Sequence, residues 1–239
     1  MSLVLVASII IALIGGIVRG ITGFGGSLVM TPALAAMFEP RMVIPVVLLL
    51  EAFAAAPTLA PAAGKASIKV IAPICAAAFL TVPLGGYLLA TTAPHVLRRL
   101  IAVVVITFSL MLLMNVRYSG SRRLPTSIAL GAISGLLLGG TGMGGPPIIL
   151  YLLSGPDPIE TTRANLMLCV TVISIAALTL LWWRGMLHMT GQVSLLVLGP
   201  SYYVGIVAGT CFFRGFSEKR FRQLTLFLLI LVSLVSLTV

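Results

Sequence analysis

Two ionisable residues lie deep inside apolar runs of the chain, where a charged side chain is costly. Arg19 is near the middle of the first combined run, residues 3–38, and Glu51 is near the centre of the run over residues 42–62. An arginine at the centre of a bilayer costs at least about 2.5 kcal/mol, so it needs a partner or a polar cavity. Arg19 could bind an anion while Glu51 carries a proton, or the two could form a structural pair. Arg19 could also snorkel from an early helix end.

Two glycine-rich segments interrupt apolar runs, at residues 22–27 and 141–146. They read Thr-Gly-Phe-Gly-Gly-Ser and Thr-Gly-Met-Gly-Gly-Pro. Irregular backbone at membrane depth is tolerated only where it is buried in protein or lines a cavity, because lipid offers its N–H and C=O groups no partner. Two such breaks therefore predict a shared central cavity. The alternative is that the glycines serve only close helix packing.

The residues after each break favour new helix starts. Ser27 predicts an N-cap, and Pro146 suits the first turn of a helix. Free N–H groups and partial positive charge at a helix N-terminus attract anions. Asn165 is a further polar candidate, which an interhelical hydrogen bond could satisfy instead.

We therefore predict an anion site with Glu51 as the coupling residue. The predicted substrate-binding residues are Arg19, Thr22, Gly23, Gly25, Gly26, Ser27, Thr141, Gly142, Gly144, Gly145, Pro146 and Asn165.

The composition indicates that these segments belong to a membrane protein. Hydrophobic residues make up 59% of the 239 residues and charged residues only 8%, which leaves too little polar surface for a soluble fold. The net charge of +10 is spread over short loops between apolar runs, as expected for residues that flank transmembrane helices. The expected partner is therefore a lipid bilayer, with no nucleic acid.

The glycines also reveal an internal duplication. An offset of 119 residues maps five glycines onto glycines: Gly16, Gly20, Gly23, Gly25 and Gly26 onto Gly135, Gly139, Gly142, Gly144 and Gly145. A weaker match at an offset of 124 relates residues 83–85 and 97–100 to 207–209 and 221–224.

We predict an all-α polytopic membrane protein of about eight transmembrane helices in two four-helix repeats. The first helix of each repeat is broken at its Gly-rich motif, and each broken helix is interpreted as a single crossing. The first repeat covers residues 1–115, a basic linker loop covers 116–125 and the second repeat covers 126–239. Duplicated folds are common among secondary transporters. Breaks that cross would make the repeats parallel, whereas re-entrant breaks would make them inverted, and the sequence leaves both open.

If each broken helix crosses the membrane once, the Lys and Arg residues outside the apolar runs are divided too evenly between the two membrane sides to predict the orientation of the protein. Six flank the N-terminal side, namely Lys65, Lys69, Arg117, Arg122, Arg123 and Arg184. Eight flank the opposite side, namely Arg41, Arg98, Arg99, Arg163, Arg214, Lys219, Arg220 and Arg222.

Cofactor chemistry has no support in the sequence. Cys75, Cys169 and Cys211 lie in separate apolar runs without CxxC spacing, and the two histidines lack a metal-binding spacing. No GxxxxGK[ST] motif for ATP and no nucleophile–base pattern is present. We therefore expect no metal or other cofactor, and an enzyme is the least favoured class.

The segments Gly16-Ile-Val-Arg-Gly-Ile-Thr-Gly-Phe-Gly-Gly26 and Gly142-Met-Gly-Gly-Pro-Pro-Ile-Ile-Leu-Tyr151 resemble the paired signatures of the sulfite exporter TauE/SafE family. The resemblance covers nearly the whole chain. It implies a secondary transporter that moves small sulfur-containing anions, such as sulfite, sulfoacetate or taurine-related compounds, across the bacterial inner membrane. The first motif continues to Pro32 without a Pro-Pro pair, so the halves are not equivalent sites.

The expected mechanism is alternating access driven by an ion gradient, with export as the expected direction. Proton coupling through Glu51 and assembly into a homo-oligomer are left open. The alternative function is an anion channel whose pore is lined by the two Gly-rich breaks.

Overall fold

The computed structural model describes residues 3–22, 25–114, 123–153, 157–183, 185 and 189–212, and its regular structure there is entirely helical. The helices of these segments are α1 (Leu3–Thr22), α2 (Gly26–Met37), α3 (Pro40–Ala63), α4 (Ile68–Thr91), α5 (Pro94–Leu113), α6 (Leu124–Thr141), α7 (Gly145–Leu153), α8 (Ile159–Trp183) and α9 (Met189–Phe212). The predicted last apolar run, at 221–239, and residues 116–122 of the predicted linker lie outside the described residues.

The described helices are suited to a lipid environment. Five candidate membrane spans occur among them: Leu3–Ile21, Ile68–Thr91, Pro94–Met111, Leu124–Thr141 and Glu160–Trp183. Large apolar side chains point outward along α4, where Phe79 is 62% and Leu80 is 74% exposed. Such a surface is stable against acyl chains, and the chain is therefore a multi-pass membrane protein.

Helices α1 and α2 form an antiparallel hairpin. Met30 of α2 lies beside Gly15 of α1, so close that a Cβ on Gly15 would be 2.7 Å from the Met30 Cγ. Ala12, Met30 and Leu34 share one core cluster. In two collinear helices, residues 15 positions apart would be separated by roughly 22 Å. The prediction that the first glycine-rich break lies within a single crossing is therefore wrong.

Helices α6 and α7 form a second hairpin. The hydroxyls of Ser127, near the start of α6, and Tyr151, near the end of α7, are hydrogen-bonded at 2.7 Å. Gly144, just before α7, lies against the Ser134 carbonyl and the Leu138 side chain of α6. Helix α7 thus returns to the end of the bundle at which α6 begins, and here too the single-crossing prediction is wrong.

The two hairpins enter the bundle from opposite ends. Helix α2 returns to the end at which α1 begins, which we name the α1 end, and a short connection leads from there into α3. Helix α3 runs to the other end, which we name the α6 end, and four residues join it to α4. Helix α4 runs back toward the α1 end, and α6 lies parallel to it, so α6 begins at the α6 end.

Glycines bring α1 into close contact with α9. A Cβ on Gly16 would overlap the carbonyl oxygen of Tyr202, and one on Gly20 would overlap that of Ile206. The contacting residue numbers rise together, so the two helices are parallel. Only glycine permits this backbone approach, as in other close helix pairs in membranes.

The same type of contact joins α6 to α4. A Cβ on Gly135 would overlap the carbonyl oxygen of Ala78, and one on Gly139 would overlap that of Val82. Thr81 of α4 also donates a hydrogen bond to the Ala132 carbonyl of α6 at 2.8 Å. Between these two parallel pairs, α3 packs against α8. Residues of both hairpin tips lie beside residues from the middle of α3 and of α8.

Candidate functional site

A cavity of about 30 Å³ lies where the two hairpin tips meet α3 and α8. One buried water needs roughly 10–15 Å³, so the cavity has room for small polar species. Eight of the predicted site residues line it: Arg19, Gly25, Ser27, Glu51, Gly142, Gly144, Gly145 and Pro146. Both glycine-rich segments thus contribute backbone to a single space.

Helix α8 supplies lining residues that the sequence did not single out. Thr171 and Ser174 bring hydroxyl groups, and Val170 brings an apolar surface. The Thr171 hydroxyl donates to the Met167 carbonyl of its own helix at 2.6 Å. The sequence signal for these lining residues was the presence of two small polar residues, Thr171 and Ser174, three positions apart in an otherwise apolar helix.

Five predicted site residues are placed elsewhere or lie partly or wholly outside the described residues. Gly26, the first residue of α2, packs against the Tyr202 hydroxyl and the Glu51 carboxylate. The Thr141 hydroxyl donates to the Leu137 carbonyl at 2.7 Å, within α6. Asn165 accepts a hydrogen bond from the Ser67 backbone N–H at 2.7 Å, at the connection between α3 and α4. None of these three residues lines the cavity. Gly23 lies outside the described residues, as does the side chain of Thr22, the last residue of α1.

The carboxylate of Glu51 has two partners from two other helices. Its Oε2 is paired with Nη1 of Arg19, and the exposed fractions of the two side chains are 12% for Arg19 and 8% for Glu51. Its Oε1 accepts a hydrogen bond from the Tyr202 hydroxyl at 2.9 Å. Arg19 is therefore held inside the bundle, which excludes the snorkelling alternative. Buried charges are expected to be paired in this way.

Sequence reasoning missed Tyr202. It lies in the apolar run that forms α9, and the offset of 124 maps it onto Ala78, so the duplication does not highlight it. A tyrosine within a membrane helix needs a partner for its hydroxyl when buried, and that requirement was the available signal.

Glycine conformation shapes both hairpin tips. Gly25 is the residue before α2 and has φ 87°, with no side-chain cap on that helix. Gly142 follows the last residue of α6 and has φ 72°. Left-handed dihedrals of this kind favour glycine. The expectation that Ser27 caps α2 is wrong, because α2 begins at Gly26 and Ser27 lies in its first turn beside the cavity.

The electrostatics of the cavity suit an anion that competes for Arg19. The N-termini of α2 and α7 both border the cavity, and their free N–H groups carry partial positive charge. Arg19 and Glu51 are the charged residues among its described lining. In the part of the chain that the structure describes, no group of three or more His, Cys, Asp or Glu residues could hold a metal ion.

A multi-pass helical bundle whose paired hairpins meet at a charged internal cavity is consistent with a membrane transporter. The family model for the sulfite exporter TauE/SafE matches residues 8–236, which is nearly the whole chain. The protein belongs to the sulfite exporter TauE/SafE family, a family of membrane transporters for sulfur-containing anions. Neither the curated proteins nor the solved structures gave a match.

Proposed function

We propose that this protein is a secondary active transporter of small sulfur-containing anions in the bacterial inner membrane. It moves sulfite or a sulfonate such as sulfoacetate by alternating access, with proton coupling through Glu51 and export as the expected direction. The observation that carries the proposal is the pairing of Arg19 with Glu51 at the cavity where both hairpin tips meet. Membership of the family supports the substrate class.

The anion binds between Arg19 and the N-termini of α2 and α7. A sulfite or sulfonate group presents several oxygens that accept charge-assisted hydrogen bonds from a guanidinium. Backbone N–H groups near Gly26 and Gly145 supply further donors, because the first N–H groups of a helix have no intrahelical partner. The left-handed conformation of Gly25 shapes the tip of the first hairpin beside this site.

Proton coupling follows from competition for Arg19. The Glu51 carboxylate forms an ion pair with the Arg19 guanidinium. A bound anion can take that place at low cost only when Glu51 has accepted a proton, since two anionic groups would otherwise share one cation. Proton and anion therefore favour each other's binding and move together. For a monovalent anion the two transported charges cancel, so export follows the outward gradient of the anion where that gradient exceeds the inward proton gradient.

The packing of the helices supports a duplicated and inverted organisation. The offset of 119 maps Gly16 and Gly20 onto Gly135 and Gly139, and the offset of 124 maps their partners on α9 onto the partners on α4. The hairpins enter from opposite ends, so the related halves have opposite directions. Inverted repeats around a midplane site support alternating access by rocking of one half against the other.

Flux measurements in proteoliposomes test the proposal. We expect saturable, gradient-dependent flux of sulfite or sulfoacetate, which is lost in Arg19→Ala while the protein stays folded. Arg99→Ala, which removes an exposed arginine at the start of α5, is the matched control and keeps wild-type flux. Unsaturable conductance without coupling would favour an anion channel, and unchanged binding by Arg19→Ala would remove Arg19 from the site.

A further inference from the structure

We propose that Tyr202 is a positioning residue for Glu51, which directs the coupling proton to the carboxyl oxygen that faces Arg19. The inference rests on the proposed coupling function of Glu51. It adds a role for α9, a helix whose described residues do not line the cavity.

The two oxygens of Glu51 are not equivalent. Tyr202 is 2% exposed and donates to Oε1 at 2.9 Å, whereas Oε2 faces Arg19. A phenol is a hydrogen-bond donor to a carboxylate and also to the carbonyl oxygen of a neutral carboxylic acid. Tyr202 can therefore donate to Oε1 whether Glu51 is ionised or protonated. Oε2, in contrast, loses its ion pair with Arg19 when it gains the proton.

Tyr202 acts on the site through Glu51 and the tip of the first hairpin. A Cβ on Gly26 would overlap the Tyr202 hydroxyl and lie 2.6 Å from Glu51 Oε1. Three elements, namely the N-terminus of α2, the carboxyl group and the phenol, thus converge at one point. Because α9 is fixed to α1 at Gly16, the phenol oxygen is held in place by backbone packing.

The proton balance of the step is simple. A proton from water bonds to Oε2, the ion pair between Oε2 and Arg19 breaks, and the freed guanidinium binds the anion. The Tyr202 O–H···Oε1 hydrogen bond persists, and Tyr202 gains and loses no proton. When the anion leaves, the proton departs from Oε2 and the ion pair forms again.

Few other groups can influence this titration. Among the residues that the structure describes, the titratable side chains in contact with Glu51 are Arg19 from α1 and Tyr202 from α9. The described cavity-lining residues of α2, α6, α7 and α8 carry no titratable side chain. With a sulfonate as the transported anion, whose charge is constant near neutral pH, a change in the pH dependence of transport after removal of the Tyr202 hydroxyl is therefore attributable to Glu51.

The test variant is Tyr202→Phe, which keeps the ring and removes the hydroxyl. We expect it to transport at saturating anion, with the pH midpoint of flux displaced upward by about one unit, because a hydrogen bond that favours the ionised carboxylate is lost. An unchanged pH profile overturns the proposal. Tyr203→Phe, on the exposed side of α9, and Tyr151→Phe, which removes a different buried hydroxyl, keep the wild-type midpoint.

Glu51→Gln separates failure of this inference from failure of the proposed function. If Glu51→Gln leaves flux pH-dependent, the coupling role of Glu51 is wrong and Tyr202 falls with it. If Glu51→Gln removes the pH dependence while Tyr202→Phe matches wild type, only the positioning role is wrong.

A second measurement does not depend on whether a Tyr202 variant folds. Infrared difference spectra of the wild-type protein between high and low pH, with Glu51→Gln to assign the band, report the protonated Glu51 carbonyl. A hydrogen-bonded carbonyl frequency supports the proposal, and a free carbonyl frequency contradicts it.

Discussion

Gly16 and Tyr202 are in direct contact across the interface of α1 and α9, with the backbone of Gly16 against the carbonyl oxygen of Tyr202. Tyr202 also donates its hydroxyl to Glu51. The glycine therefore does more than allow two helices to pack closely. It sets the distance between α1, which carries Arg19, and Tyr202 of α9. Tyr202 in turn holds Glu51, the ion-pair partner of Arg19.

Gly16→Ala should destabilise the protein and weaken anion binding together. The added Cβ would overlap a backbone carbonyl, which cannot rotate away, so α1 and α9 must separate. Overpacking of this kind costs typically about 1–3 kcal/mol. Thermal unfolding in detergent, with and without sulfite, measures both effects.

The matched control for Gly16→Ala is Gly199→Ala. Gly199 lies in α9, three residues before Tyr202. A Cβ there would meet only the Leu50 side chain, at an ordinary 4.0 Å. We expect near wild-type melting for this control. Equal melting of Gly16→Ala and Gly199→Ala would show that the close contact is wrong.

Glu51→Gln should raise anion affinity and remove its pH dependence. The neutral amide no longer competes for Arg19, so the guanidinium is available at every pH. A gain of about tenfold in affinity corresponds to about 1.4 kcal/mol, close to the lower limit of about 1.5 kcal/mol for a hydrogen bond to a charged group. Isothermal titration with sulfoacetate, whose charge is constant over a series of near-neutral pH values, checks both. Weaker binding at all pH values would instead favour a purely structural pair.

The sequence was sufficient to predict where the glycine-rich breaks lie and that they face protein or a cavity. It was not sufficient to predict the direction of the chain after each break. Lipid cannot solvate irregular backbone, so both breaks had to face protein or a cavity. Glycine at a break, however, allows the chain either to continue or to reverse. The choice depends on contacts such as Ser127 with Tyr151, which join residues that no local pattern relates.

Side-chain partners were less predictable than backbone breaks. Glu51 and Arg19 stand out because ions are rare inside membrane helices, and their pairing was one of the alternatives considered. Asn165 was equally polar, yet it bonds the backbone of Ser67 away from the cavity. Which polar residue meets the cavity depends on the rotation of each helix about its axis, and packing against neighbours fixes that rotation. The functional roles of the cavity residues stay predictions.

Oxidation should join Cys75 to Cys169. Their sulfur atoms are 3.1 Å apart between α4 and α8, and both are free thiols. A mild thiol oxidant is expected to form one intramolecular disulfide, counted by alkylation and mass spectrometry. Cys75→Ser should abolish it, whereas Cys211→Ser should not. Absence of the crosslink in the folded protein would contradict the packing of α4 on α8.

The hairpins allow a prediction of the membrane orientation, which the sequence alone left open. We assign each basic residue to the helix end that it flanks in the sequence. Because the chain reverses direction at both breaks, the Lys and Arg residues are no longer divided evenly between the two ends of the bundle. Ten flank the α6 end: Lys65, Lys69, Arg117, Arg122, Arg123, Arg163, Arg214, Lys219, Arg220 and Arg222. Four flank the α1 end: Arg41, Arg98, Arg99 and Arg184. Because cytoplasmic loops are enriched in Lys and Arg, we predict that the α6 end faces the cytoplasm.

Labelling of single cysteines tests this orientation. In a background with Cys75, Cys169 and Cys211 replaced by serine, Lys69→Cys reports the α6 end and Arg99→Cys the α1 end, and both positions are exposed. A membrane-impermeant maleimide applied to intact spheroplasts should label Arg99→Cys only, and lysis should make Lys69→Cys reactive. The opposite pattern would reverse the orientation. Labelling of both or neither before lysis would contradict the placement of these two positions at opposite ends, and with it the reversal of the chain at the two glycine-rich tips.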